Sequence, residues 1–160
     1  MSYLLTIDPG RHTGWSVWYQ GVLVTAGLGL PPVARYDEVV IEVPEVYPGG
    51  PKVDPNDLIT LAVLVGRYVE RHNTVSYLVR PKKWKGQVSK EVCHTRLRAA
   101  VPNINNYLEG IRDTLQHNVL DAIGIGKWVE DTCMVGAKLG YNRHRVLSDN
   151  CTLQKALGVK

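Results

Sequence analysis

Residues 3–7, Tyr-Leu-Leu-Thr-Ile, form an unbroken apolar run that stops on Asp8-Pro9-Gly10. An unbroken run of this length predicts a buried strand. A carboxylate that ends such a strand, with a Pro-Gly turn directly after it, is held by rigid backbone at the surface of a sheet. Alone, Asp8 is explained by turn chemistry, because an Asp side chain can bond its own backbone. Two further acids change that reading.

The second is Glu42, in Val39-Val40-Ile41-Glu42-Val43-Pro44, a strand-like run rich in β-branched residues. A lone carboxylate in such a run is costly to bury without a partner, and the run holds no Lys or Arg. The plain alternative is that Glu42 faces solvent. Glu45, just past Pro44, is a less constrained rival. The third acid is Asp121, in His117-Asn118-Val119-Leu120-Asp121-Ala122-Ile123-Gly124-Ile125-Gly126. Leu115, Val119, Ala122 and Gly126 recur at helical spacing and predict a buried stripe. Asp113, His117 and Asp121 lie on a different stripe, with Asn118 beside it. Gly124 and Gly126 lower helix propensity, which makes sense where a helix packs very closely on something.

The remaining elements follow from pattern. Residues 3–8, 14–19 and 22–26 predict an antiparallel meander, with Gly21 in its second turn. Residues 38–43 predict a fourth strand and Ser76-Tyr77-Leu78-Val79 a fifth. The loop Tyr47-Pro48-Gly49-Gly50-Pro51 is too rich in breakers to be regular. Asp54 as cap and Pro55 at the first position open a helix whose buried face is Leu58, Leu61, Ala62, Val65 and Val69. Ser89 caps a short basic helix reaching about Ala100. A last helix runs from Asn106 or Asp113 to Trp128. Residues 29–37 are too short and Pro-rich for a helix of their own.

One architecture joins the acids: an α/β fold in which adjacent strands carry Asp8 and Glu42 and a late helix brings Asp121 alongside. Converging carboxylates raise one another's pKa unless a cation is present. Hard oxygen ligands suit Mg²⁺ or Mn²⁺. Two such ions roughly 3.5–4 Å apart activate a water and stabilise the leaving oxygen of a phosphodiester.

These motifs carry a resemblance. Ile7-Asp8-Pro9-Gly10 with Gly14, Val40-Ile41-Glu42, and Asp121-Ala122 preceded by His117-Asn118 resemble the RuvC family of Holliday junction resolvases, within the RNase H-like superfamily. Arg80-Pro81-Lys82-Lys83-Trp84-Lys85-Gly86 followed by Lys90 resembles the compact RuvC-like resolvases of bacteriophages. The resemblance covers roughly residues 3–129. It implies an RNase H-like fold: a five-stranded mixed sheet, three strands in an antiparallel meander and two parallel, flanked by helices. It implies a nuclease domain over 1–130, with 131–160 an extension packed on that domain or on a partner subunit. Asp8, Glu42 and Asp121 match the family's acids and would hold two Mg²⁺ ions, with Mn²⁺ able to substitute. The family's further metal-site residue, an Asp or His one turn before the last acid, is here offered by His117 or Asn118, with His117 preferred as neutral imidazole ligand or proton relay. The activity implied is paired cutting of four-way DNA junctions by a homodimer, leaving 5′-phosphates. A Tyr47 wedge at the junction centre and a plain surface Tyr47 both stay open.

Composition sets bounds. The chain has 160 residues, enough for one domain with an ordinary core. It has no apolar run long enough for a membrane span and no secretory leader pattern, so the expected setting is cytoplasmic, in a bacterial host if the gene is a phage's. Cys93, Cys133 and Cys151 lack metal-ligand spacing and read as free thiols in a reducing compartment. The net charge of +4 is unevenly placed. Arg80, Lys82, Lys83, Lys85, Lys90, Arg96 and Arg98 cluster against Glu91 alone, and such a patch attracts phosphates. Trp84 within it either stacks on a base or anchors the loop, and anchoring is the better fit. Three other classes remain: a different RNase H-like nuclease acting on branched DNA, RNA–DNA hybrid or terminase substrates; a DNA-binding module without catalysis; and an actin-like ATPase, for which the chain lacks a second lobe.

Overall fold

The computed structural model describes residues 2–46 and 54–154; the segment holding Tyr47 lies outside them. Its centre is a mixed sheet in the order β3-β2-β1-β4-β5-β6. Strands β1 (Tyr3–Asp8), β2 (Gly14–Tyr19) and β3 (Val22–Leu28) form the antiparallel meander, while β4 (Glu38–Glu42) and β5 (Ser76–Val79) run parallel to β1. This is the expected five-stranded RNase H-like sheet. The short antiparallel strand β6 (Thr152–Gln154) adds to its edge beside β5. The third strand runs two residues past its expected end, and a register shift at Val17/Trp18 accompanies it.

The sheet is buried on both faces, which explains why the β1 and β4 sequences are apolar throughout rather than alternating. Leu4, Trp18, Val40, Tyr77 and Val79 form one face of the core with the late helices. Leu5, Ile7, Val17, Val39 and Ile41 form the other, under helix α1 (Pro55–His72). Asp54 caps α1 by accepting from Asn56 N, with Pro55 at the first position. Its buried face is rotated from the one the spacing predicts. Val65 and Tyr68 are buried and Ala62 is exposed, because Tyr68 replaces Ala62 at the sheet and donates its hydroxyl to Thr13 at 2.9 Å.

After β5, Pro81 starts a short helix, α2 (Pro81–Lys85), which pattern alone did not disclose. Helix α3 (Lys90–Ala100) is capped by Ser89 as expected. Helix α4 begins at Asp113 rather than Asn106, which sits in a 3₁₀ turn, and runs to Lys138, ten residues beyond Trp128. Gly124 and Gly126 lie within it, at close contacts as their low helix propensity suggested. Gly126 is where the helix lies on Trp18: a Cβ there would fall 1.9 Å from its Nε1. Helix α5 (Arg143–Asn150) then packs on α4 and the sheet. Among the described residues no helix is long and apolar enough to cross a membrane. Cys93, Cys133 and Cys151 are free thiols.

Candidate active site

The parallel register sets Leu4 beside Glu38 and Ile7 beside Ile41. The next pair along is Asp8 and Glu42, at the carboxyl ends of two neighbouring central strands. Crevices at strand carboxyl ends are where open α/β sheets hold their ligands. The turn after Asp8 is fixed by Thr13, whose hydroxyl donates to Gly10 O at 3.1 Å and accepts from Tyr68.

Helix α4 brings the third acid by close approach to the sheet. Thr6 Oγ1 and Ser16 Oγ both reach the carbonyl of Ala122, at 2.8 and 3.1 Å, and Trp18 Nε1 donates to Ser16 Oγ at 2.8 Å. A Cβ on Gly14 would fall 1.9 Å from the carbonyl oxygen of Asn118. The residue directly before this pinned carbonyl is Asp121, itself buried.

The three acids are electrostatically unequal. Burial, then the proximity of Glu42 and Asp121, holds Asp8 well above the usual carboxylate range. Burial pushes Glu42 up to about 7, against a hydrogen bond from Trp84 that favours its charge. For Asp121 burial acts in the same upward direction, but His94, Lys85 and Lys90 outweigh it and the carboxyl is held low. The contacts are close: His94 Nε2 lies 2.7 Å from Oδ1, Lys85 Nζ 3.6 Å from Oδ1, and Lys90 Nζ 3.2 Å from Oδ2. The available cations therefore contact one acid directly and only partly offset the burial of the other two. That donor set, three hard oxygen ligands of which two have no direct cationic partner, fits a divalent cation. Among the described residues no three His, Cys, Asp or Glu side chains are drawn together as a finished metal cage.

His94 is the residue that sequence reasoning missed. It sits one turn after Lys90 on α3, so both reach Asp121 from one helix face. His117 is one turn before Asp121 on α4 and half-buried, its pKa lowered by burial and by Lys90. Asn118 instead turns its amide back to Leu115 O at 3.2 Å. Glu45 lies 3.9 Å from Arg80, with its Oε2 buried and unpartnered among the described residues.

Of the basic segment, Lys85 and Lys90 point at the acids, while Lys82, Lys83 and Arg96 are exposed beside them. Trp84 is buried with its ring against Gly124, which is the anchoring one of its two possible roles. Its Nε1 donates to Glu42 Oε2 at 2.5 Å.

No family model matches the chain, and no curated protein does. Two solved structures are similar to it. One is Thermus thermophilus RuvC in complex with a Holliday junction substrate, with 16% identity, a TM-score of 0.59, and 86% of this chain and 96% of that one covered. The other is a further Thermus thermophilus RuvC structure, with 17% identity, a TM-score of 0.52, and 95% and 99% covered. At these identities the likeness is one of fold.

Proposed function

We propose that this chain is a divalent-metal-dependent endonuclease that resolves four-way DNA junctions as a homodimer, in the manner its sequence resemblance implies. The observation that carries the reading is the pairing of Asp8 and Glu42 on adjacent strand ends with Asp121 brought to them by α4, beside a cationic face. The similar fold solved on a Holliday junction supports the same substrate class.

Asp8, Glu42 and Asp121 would hold Mg²⁺ or Mn²⁺, two ions in the full site, with His117 as the candidate fourth ligand. Bound there, such ions supply Lewis acidity, making water nucleophilic and offsetting charge on the leaving oxygen. The chain's own residues do the rest. Asp8 and Glu42, whose protonated forms burial favours, would hold such an ion as carboxylates, giving up those protons. Lys85 and Lys90, which rest against Asp121, would be free to meet DNA phosphates with a cation in their place. The exposed Lys82, Lys83 and Arg96 grip the strands, with Tyr47, outside the described residues, as a further candidate contact.

The dimer is supported by α1, whose outward face shows Ile59 at 62% and Val63 at 58% exposure beside the uncovered Gly66. Two symmetric cuts need two sites, and a two-fold pair supplies them. The setting that fits is the cytoplasm of a bacterium, phage-infected or not. Residues 1–130 would form the nuclease domain proper and 131–160 its extension.

A labelled synthetic four-way junction, linear duplex and RNA–DNA hybrid, each incubated with Mg²⁺ and either wild type or Asp8→Asn, test the reading. Paired nicks in the junction, lost in Asp8→Asn, are expected. Cutting confined to hybrid or duplex would move the function to another nuclease of this fold. A shifted but uncut junction would mark a binding module.

A further inference from the structure

We propose that Trp84 is the positioning residue of the site: its indole N–H sets the Glu42 carboxylate at a fixed distance from Asp121. The inference rests on the metal-dependent reading above and assigns a role to a residue that carries no metal-ligating atom.

Glu42 needs such a device more than Asp8 does. Its longer side chain has one more rotatable bond, and holding a Glu in a single rotamer costs side-chain entropy that an Asp does not lose to the same degree. Burial beside two other acids adds a cost for any arrangement that leaves its oxygens unbonded. Trp84 meets both demands. Its N–H occupies Oε2 at 2.5 Å and leaves Oε1 and the remaining lone pairs for a ligand.

The indole is itself fixed at both ends, by a short backbone arm and by helix α4. Helix α2 starts immediately after β5, whose Val79 pairs with Glu42 and accepts from Val43 N at 2.9 Å. Pro81 fixes the first helical φ, so Trp84 leaves the backbone on the short arm next to Glu42. On the far side the ring presses on α4. A Cβ on Gly124 would fall 2.6 Å from the indole and 3.2 Å from Leu97. Gly124 lies three residues after Asp121, so one rigid side chain spans from the acid on β4 to the helix turn bearing the acid on α4. Outer hydrogen bonds of this kind orient metal-binding carboxylates, and losing one costs about 10–100-fold in metal affinity or activity.

The test compares Trp84→Phe, which keeps an aromatic plug, with site-directed replacement of the Trp84 indole by benzothiophene. The second keeps the ring's shape and puts sulfur where the N–H was. Both are made in the full chain and scored three ways: Mn²⁺ binding without DNA, followed by loss of the free-ion electron paramagnetic resonance signal; kcat and KM on the junction; and the melting temperature. The expected result is Mn²⁺ affinity about 10-fold weaker or more, a matching fall in kcat, unchanged KM, and for the benzothiophene form a melting temperature close to wild type. Wild-type Mn²⁺ affinity and kcat in a folded benzothiophene variant would overturn the role of Trp84 and leave the nuclease reading intact. A wild-type chain that neither binds Mn²⁺ nor cuts DNA would bring down that reading and this inference together.

Discussion

At the scale of single residues, the site is a contest between burial and counter-charge. Glu42 titrates at about 7 in the folded chain against an ordinary value of 4.5, and Asp8 is displaced in the same direction. The folded chain therefore keeps a proton that the unfolded chain gives up, and between about pH 4.5 and 7 this costs stability as pH rises. Asp121 is held low, so its contribution is lost only as pH falls below its ordinary value of 3.8, outside that window. His72 and His117 are both lowered by burial and act oppositely, weakening the fold as pH falls through 6.5. The clean reading is the difference between wild type and Glu42→Gln without divalent ions. Thermal melts in EDTA should show Glu42→Gln gaining more over wild type at pH 8 than at pH 5. An equal gain at both would contradict the burial of Glu42. All three acids were legible in the sequence, each being a carboxylate out of place in an apolar or small-residue run. His94 was not: its pairing with Asp121 depends on how α3 crosses α4, and no local pattern encodes that crossing.

At the scale of elements, glycine contacts explain both what the pattern revealed and what it hid. Gly124 and Gly126 in a helix pointed to close packing, and each faces an indole, Trp84 and Trp18. Helix length was misjudged at the far end: the expected stop at Trp128 falls ten residues short of Lys138. A Gly126→Ala change should gain about 1 kcal/mol of helix propensity yet be destabilising overall. Its Cβ would fall 1.9 Å from Trp18 Nε1, inside the network that holds Ala122, and overpacking of this kind costs about 1–3 kcal/mol or more. Gly66→Ala is the control, since nothing lies within 4 Å of its Cβ position. Urea unfolding should move the midpoint down for Gly126→Ala and up slightly for Gly66→Ala. If the two shift alike, the close approach of α4 to β2 is wrong. Helix α2 escaped detection for a different reason: five residues are too few to show a period, and only Pro81 and Gly86 mark its ends.

At the scale of the whole molecule, the end of the sheet away from the acids is closed by one cation. Arg143 at the start of α5 donates to Glu38 of β4 and, through both terminal nitrogens, to Glu130 of α4. The pairing links the sequence's last third to its first, which no motif in residues 131–160 foretold. Arg143→Ala would strand two mostly buried carboxylates, and breaking such a pair from one side costs roughly 3 kcal/mol. Calorimetry should register that loss as a lower melting temperature; an unchanged one would mean that α5 is held by its apolar contacts alone. Helix α1 raises the complementary question of what covers its outer face. Its inner side packs under the sheet face opposite α4, so its outer stripe can be altered without touching the acids. Val63→Asp places a charge in the middle of that stripe. If the stripe joins two copies, sedimentation should show the wild-type dimer become a monomer, with DNA still nicked but the two cuts no longer paired. A variant that stays dimeric and still cuts in pairs would place the subunit contact elsewhere. A wild type that is monomeric at cleavage concentrations would remove the geometric basis for two symmetric incisions and leave a nicking enzyme of the same fold.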